Sequence, residues 1–142
     1  WLLDGMLESG TLTSIDDEME HTQIAKLAFA EADIAQGRYR LITNTVVDVI
    51  SKLTDRAYDL VVLRHNPEDL SYVIGEAHRI LRSGGALVID NYYAGGKVSD
   101  AAQRDPKTVA LRDAGKIIKS DSEHWVSSLI PIGDGLLVAT KV

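Results

Sequence analysis

Residues 81–96 read LRSGGALVIDNYYAGG and are the most informative stretch of the chain. The apolar run Ala86–Ile89 lies between two pairs of glycines, which is typical of a buried strand. A strand that is buried on both faces belongs to a parallel sheet covered by helices. Ligands bind beyond the carboxyl ends of the strands in such sheets. Asp90 and Asn91, which follow the run, are therefore either site residues or residues of an ordinary turn.

The rest of the chain alternates between strand and helix patterns. Asn66-Pro67 precedes an amphipathic stripe, which predicts a helix start, and we expect that helix to end at Gly84-Gly85. Gly133-Asp134-Gly135 separates two strand patterns and predicts an antiparallel hairpin. The other predicted elements are helices at Trp1–Glu8, from Asp16-Asp17-Glu18 to before Gly37, at Val46–Leu53 and from Asp105-Pro106, and strands at Thr11–Ile15, Tyr39–Thr43, Tyr58–Leu63, Trp125–Ile132 and Leu136–Lys141. This order predicts an α/β domain with a mostly parallel sheet and right-handed crossovers.

Length and composition exclude several classes of protein. The 142 residues are enough for one domain with its own core, and we treat 1–142 as a single domain. The net charge of -6, without a basic stripe, argues against a nucleic-acid partner. The absence of cysteine excludes disulfides and thiolate catalysis. No apolar run approaches the length of about 18 residues that a membrane span needs, so we expect a cytoplasmic protein.

Several polar residues at predicted strand ends are candidates for chemistry. An acidic residue at the position of Asp16 can accept hydrogen bonds from the ribose of an adenosine cofactor, with Asp17 as the register alternative; either can also be a helix cap. Asp90 and Asn91 offer oxygens to Mg²⁺ or Ca²⁺, but two side chains are few for a hard cation. Tyr92 is part of an acceptor pocket, a core residue or an interface residue.

Two further features stay open. His65 is a general base, a surface histidine or a cofactor contact at the adenine edge. The polar loop Lys97–Arg104 is either a substrate loop or a dimer loop. A nicotinamide-dependent oxidoreductase would use Asp16 equally well, but the closing Gly-Asp-Gly hairpin is not the ending expected of that class.

Five stretches together resemble one family. They are LTSIDDE (12–18), YDLVVL (58–63), HRILRSGGALVIDN (78–91), RDPKTVALR (104–112) and PIGDGLLVATK (131–141). In this order they resemble the S-adenosylmethionine-dependent O-methyltransferases of the catechol and caffeoyl-CoA type, including their small bacterial relatives. The resemblance covers essentially the whole chain and implies a Rossmann-like class I methyltransferase sheet that ends in the antiparallel hairpin. It also implies a first strand and a Gly-rich cofactor loop before Trp1, so we expect the sequence to be incomplete at its N-terminus.

The resemblance also assigns roles to residues. It implies that Asp16 binds the ribose and that the loop with Thr45 and Val46 meets the adenine. The family's metal-ligating aspartate and catalytic lysine correspond to Arg64 and Pro67.

An arginine cannot ligate a cation. Three arrangements follow: Arg64 pairs with Asp90 in the cation's place, methyl transfer proceeds by approximation without metal, or the chain is inactive.

The predicted function is methyl transfer from S-adenosylmethionine to a hydroxyl of a small acceptor, catechol-like or phenylpropanoid-like, by a homodimer. Arg64 and Asp90 are the candidate catalytic residues, Arg64 also borders the cofactor, and Tyr92 is the candidate acceptor contact. The alternative is a catalytically impaired homologue that binds cofactor or has a structural, dimeric role.

Overall fold

The computed structural model describes residues 1–64 and 69–142, which form α-helices and β-strands in alternation. The chain divides into two compact units, Trp1–Lys52 and Leu53–Val142. The helices are α1 (Leu2–Gly5), α2 (Met19–Glu31), α3 (Val46–Ile50), α4 (Leu70–Ile80) and α5 (Pro106–Ser120). The strands are β1 (Leu12–Asp16), β2 (Tyr39–Thr43), β3 (Tyr58–Leu63), β4 (Leu81–Ile89), β5 (Trp125–Ile130) and β6 (Leu136–Lys141).

The first unit is built on two parallel strands. β1 pairs with β2 so that Asp16 lies opposite Thr43 at the carboxyl end. The Phe29 ring of α2 lies 4.8 Å from the Tyr39 ring at the start of β2, while Ile24 and Leu27 of the same helix are exposed. This pairing brings the residues that follow both strands to one edge of the sheet.

The second unit is a four-stranded mixed sheet in the order β3-β4-β6-β5. β3 and β4 are parallel, whereas β6 is antiparallel to both β4 and β5, which confirms the predicted hairpin. The core packs α4 and α5 against the sheet, and its largest fully buried side chains are Ile80, Leu81, Leu87, Ile118 and Thr108. One face of the central strand is buried through Leu87 and Ile89, whereas Ala86 and Val88 on the other face are only partly buried, so the predicted burial on both faces is found in part.

The boundary between α4 and β4 differs from the prediction. The helix ends at Ile80 rather than at the double glycine, because Leu81 is extended (ψ 139°) and pairs with Tyr58. Leu81 is completely buried, so the strand gains a core residue before the glycines. Gly84 (φ 75°) then produces an irregularity inside β4 rather than ending the helix.

Other predicted boundaries shift by a few residues. The first helix is only Leu2–Gly5, because Met6 already has an extended backbone (φ -88°, ψ 151°). β1 ends one residue later than predicted, which makes Asp16 its last residue. α3 ends at Ile50 and β5 at Ile130. The predicted cap Asn66-Pro67 lies outside the described residues.

Candidate functional site

Asp16 lies at the carboxyl end of β1 in the first unit. Its Oδ1 accepts a hydrogen bond from the backbone N–H of Glu18 at 2.9 Å, and His21 Nδ1 lies 3.1 Å from the same oxygen. Because an ionised carboxylate only accepts, Nδ1 of His21 is the donor in this pair. The Asp16 side chain is 40% exposed, so its carboxylate keeps acceptor capacity toward solvent. The geometry fits a group that offers hydroxyl donors, such as a ribose.

Thr45 and Val46 follow β2 at the same edge. The Thr45 hydroxyl accepts from the backbone N–H of Asp48 at 3.2 Å and donates to the Asp48 carboxylate at 2.9 Å. Thr45 is therefore the N-cap of α3, and Val46 is the first residue of that helix. The Thr45 hydroxyl, which the resemblance assigns to the adenine, therefore already has a donor and an acceptor within its own turn. Asp17, the alternative ribose-binding residue, is exposed.

Arg64 and Asp90 meet at the carboxyl ends of β3 and β4 in the second unit. Arg64 Nε lies 3.3 Å from Asp90 Oδ2, so the two residues form the predicted ion pair. The backbone N–H of Asp90 donates to the Leu63 carbonyl at 2.9 Å, which fixes the end of β4 against β3. The second carboxylate oxygen, Oδ1, accepts from the N–H of Asn91 at 2.8 Å. The Arg64 side chain is 72% exposed and presents its guanidinium to solvent.

The Asp90–Asn91 donor set does not fit a divalent cation. Mg²⁺ and Ca²⁺ require roughly six to eight oxygen ligands, and both oxygens of Asp90 already have partners. A cation on Asp90 would also stand beside the positive charge of Arg64. Among residues 1–64 and 69–142, no three His, Cys, Asp or Glu side chains come together as a metal site would need.

Tyr92 belongs to the hydrophobic core. Its side chain is 7% exposed, and burial raises the pKa of its phenol. The ring approaches Gly115 of α5, where there is no side chain to displace it. Little of Tyr92 is left to contact an acceptor, so the core alternative describes its surroundings better.

The sequence patterns single out neither Arg112 nor His21 as a functional residue. Arg112 closes the RDPKTVALR stretch and donates hydrogen bonds to several backbone carbonyls, while His21 lies beside Asp16. Neither contact leaves a periodic signal: that of His21 depends on the geometry of the turn between β1 and α2, and those of Arg112 on how the segment after β4 folds back on α5. The predicted contact His65 and the position of Pro67 lie outside the described residues.

The sequence of the chain matches a known protein family along nearly its whole length. The model of the family described as O-methyltransferase matches residues 3–142. The chain belongs to the O-methyltransferase family. Its α/β fold is accordingly the Rossmann-like fold of that family.

Two relatives extend this family assignment. A protein of Mycobacterium sp. (strain KMS), whose name gives O-methyltransferase as a provisional activity, is 47% identical over 141 residues, which cover 99% of this chain and 64% of that protein. A crystal structure of a Corynebacterium glutamicum protein is 37% identical with a TM-score of 0.91, covering 99% of this chain and 65% of the other.

A protein of similar fold and lower sequence identity has been solved with a bound ligand. The O-methyltransferase TomG from Streptomyces achromogenes, solved in complex with SAM, has a TM-score of 0.85 at 23% identity, covering 100% of this chain and 66% of that one. At this identity the likeness concerns the fold alone.

The chain spans 64% of the length of the mycobacterial relative. Within residues 1–64 and 69–142 of the present chain, no helix has the length and apolar character needed to cross a membrane.

Proposed function

We propose that the protein is an S-adenosylmethionine-dependent O-methyltransferase that acts on a hydroxyl of a small, catechol-like or phenylpropanoid-like acceptor. The observation that carries this proposal is the match to the O-methyltransferase family along residues 3–142. The SAM bound in TomG, a protein of similar fold, supports the choice of cofactor.

Asp16 is the proposed ribose-binding residue. It ends β1 with an exposed carboxylate, and hydrogen bonds from Glu18 and His21 hold that carboxylate in place. A carboxylate at a strand end can accept from both ribose hydroxyls. Thr45 and Val46 are proposed to border the adenine through backbone and apolar contacts, because the Thr45 hydroxyl caps α3.

Arg64 is proposed to take the part that a divalent cation plays in metal-dependent O-methyltransferases. The bound cofactor would supply an electrophilic methyl group on a sulfonium. The acceptor oxygen would take this methyl group as the carbon–sulfur bond breaks and a neutral thioether leaves, and the proton of the acceptor would pass to solvent. The reaction needs alignment and stabilisation of negative charge on the oxygen. The guanidinium of Arg64, held by Asp90, supplies a compensating positive charge and stays protonated throughout.

The second candidate is a homologue without catalytic activity. It is favoured by one observation: Arg64, which stands where the family has its metal-ligating aspartate, already has a partner in Asp90. Such a protein would still bind S-adenosylmethionine at Asp16.

Methyl transfer to a panel of catechols, with and without magnesium, tests the proposal. We expect the protein to methylate at least one catechol, and Arg64→Met to lower the rate by about a hundredfold to a thousandfold, as loss of one charge-stabilising donor does. Arg64→Lys, which keeps the charge but loses the planar fork, should retain more activity. Cofactor binding without turnover of any catechol would instead favour the inactive homologue.

We also propose a homodimer located in the cytoplasm. β5 is an edge strand of its sheet, and Val126 and Leu129 on it are exposed apolar residues that a partner subunit could cover. Sedimentation equilibrium tests the subunit number, and fractionation of cells tests the location.

A further inference from the structure

The segment after β4 has an unusual backbone. Four of its residues have left-handed conformations, namely Asn91 (φ 54°), Ala94 (φ 49°), Gly95 (φ 66°) and Gly96 (φ 85°). Its only regular element is the short 3₁₀ turn Lys97–Ser99. Positive φ costs little for Gly95 and Gly96 and is tolerated by asparagine, but it is unfavourable for Ala94, so the conformation of Ala94 persists because neighbouring contacts hold it.

Arg112 of α5 binds the part of the segment that follows these positive-φ residues. Its Nε donates to the Val98 carbonyl at 3.1 Å, and its Nη2 donates to the Asp100 carbonyl at 2.8 Å. Longer bonds reach the carbonyls of Gln103 (3.3 Å) and Lys97 (3.4 Å). One planar guanidinium thus gathers four carbonyls of the loop, which a single ammonium could not do in the same geometry.

Asp134, in the turn of the closing hairpin, holds the beginning of the segment. Its carboxylate accepts from the N–H of Gly95 at 2.9 Å, and its carbonyl accepts from the N–H of Tyr93 at 2.8 Å. The N–H of Ala94 in turn donates to the Asn91 carbonyl at 3.2 Å. The anchored segment therefore begins at the residue next to Asp90, the partner of Arg64.

We infer that Arg112 is a positioning residue that holds residues 94–103 as a wall of the acceptor site beside the Arg64–Asp90 pair. This inference rests on the proposed function. The contacts of Arg112 are to backbone carbonyls, so it fixes the path of the wall rather than contacting the acceptor itself. Because methyl transfer needs an in-line approach, a displaced wall changes how the acceptor is held.

The test compares the protein with Arg112→Met and Arg112→Lys, using 3,4-dihydroxybenzoate as the acceptor. For Arg112→Met we expect the KM for this acceptor to rise about tenfold, while the KM for S-adenosylmethionine stays unchanged. The ratio of 3-O-methylated to 4-O-methylated product should shift as well. Hydrogen exchange of the amides in residues 94–103 should accelerate, and Arg112→Lys should fall between the two proteins in every measurement.

Arg104→Met is the matched control. Arg104 is exposed and donates no hydrogen bond within residues 1–64 and 69–142, so this variant removes the same charge from the same region without releasing the segment. Turnover by the wild type with the same KM and product ratio in Arg112→Met and Arg104→Met would overturn the inference and leave the proposed function standing. A wild type that methylates no catechol would defeat the proposed function, and the inference with it.

Discussion

Asp16 and Asp17 are adjacent carboxylates with different surroundings. Asp16 is held at the strand end by Glu18 and His21, whereas Asp17 points into solvent. If Asp16 binds the ribose, Asp16→Ala should weaken binding of S-adenosylhomocysteine by about tenfold or more, which is typical for loss of hydrogen bonds to a charged group. Asp17→Ala is the matched control and should bind as the wild type does. Isothermal titration calorimetry measures both, and a larger loss in Asp17→Ala would reverse the assignment.

His78 predicts a dependence of stability on pH. Its ring lies 5.0 Å from the His124 ring and 5.1 Å from the Trp125 ring, and its Nε2 is buried without a hydrogen-bond partner among the described residues. Burial, then the positive charges of Lys141 and His124, lowers the pKa of His78 below the ordinary 6.5, although Asp121 acts in the opposite direction.

Because the folded pKa of His78 is the lower one, the unfolded chain binds the proton more readily. Stability should therefore decline as the pH falls below about 6.5. His78→Phe keeps a ring but removes the titration, so the decline should be smaller in this variant. Urea unfolding at pH 7.5 and 5.5 measures the difference, and equal declines in the two proteins would contradict this role of His78.

At the scale of single residues, the sequence predicted where polar side chains lie when they directly follow a strand pattern. The strand-end positions of Asp16 and Asp90 could be predicted because each follows a strand pattern, and the Arg64–Asp90 ion pair could be predicted because parallel strands bring their carboxyl ends together. The network around Arg112 could not be predicted, since its acceptors are backbone carbonyls that any sequence would supply. Tyr92 was ambiguous because an aromatic residue at a strand end suits a pocket and a core equally.

Two glycines in helices α4 and α5 should respond in opposite ways to the same substitution. A Cβ at Gly75 would meet nothing within 4 Å, whereas one at Gly115 would overlap the Tyr92 hydroxyl. Gly75→Ala should stabilise the protein by about 0.5–1 kcal/mol through helix propensity. Gly115→Ala should destabilise it by about 1–3 kcal/mol through overpacking. The two free energies of unfolding, measured in urea, check this contrast.

The double variant Gly115→Ala with Tyr92→Phe tests the cause. Removing the hydroxyl should recover part of the stability lost in Gly115→Ala, because the oxygen is the atom closest to the new methyl group. Full additivity of the two single substitutions would mean that Tyr92 and Gly115 do not interact.

At the scale of elements, the apolar strands were predictable and the polar boundaries less so. β2, β3 and β6 have the predicted bounds, because each is an apolar run framed by polar or glycine residues. The end of α4 was misplaced, because Leu81 continues the apolar stripe of the helix yet pairs with β3 in the sheet. Tertiary pairing decides such a residue, and periodicity cannot anticipate it.

At the scale of the whole molecule, the family match and the Arg64–Asp90 ion pair lead to different expectations about the need for a divalent cation. The family resemblance implies a divalent cation held by an aspartate at the end of β3, whereas this chain has an arginine there. We therefore expect methyl transfer in this protein to be independent of divalent cations. Arg64→Asp would restore the ligand type that the family uses, so this variant should become dependent on magnesium.

The most direct measurement is the rate of catechol methylation in excess EDTA and in millimolar magnesium, for the wild type and for Arg64→Asp. We predict that the wild-type rates in the two conditions agree within about twofold, while magnesium stimulates Arg64→Asp by about tenfold or more. A wild-type rate that collapses in EDTA and returns with magnesium would contradict the assignment of Arg64 to the place of the cation.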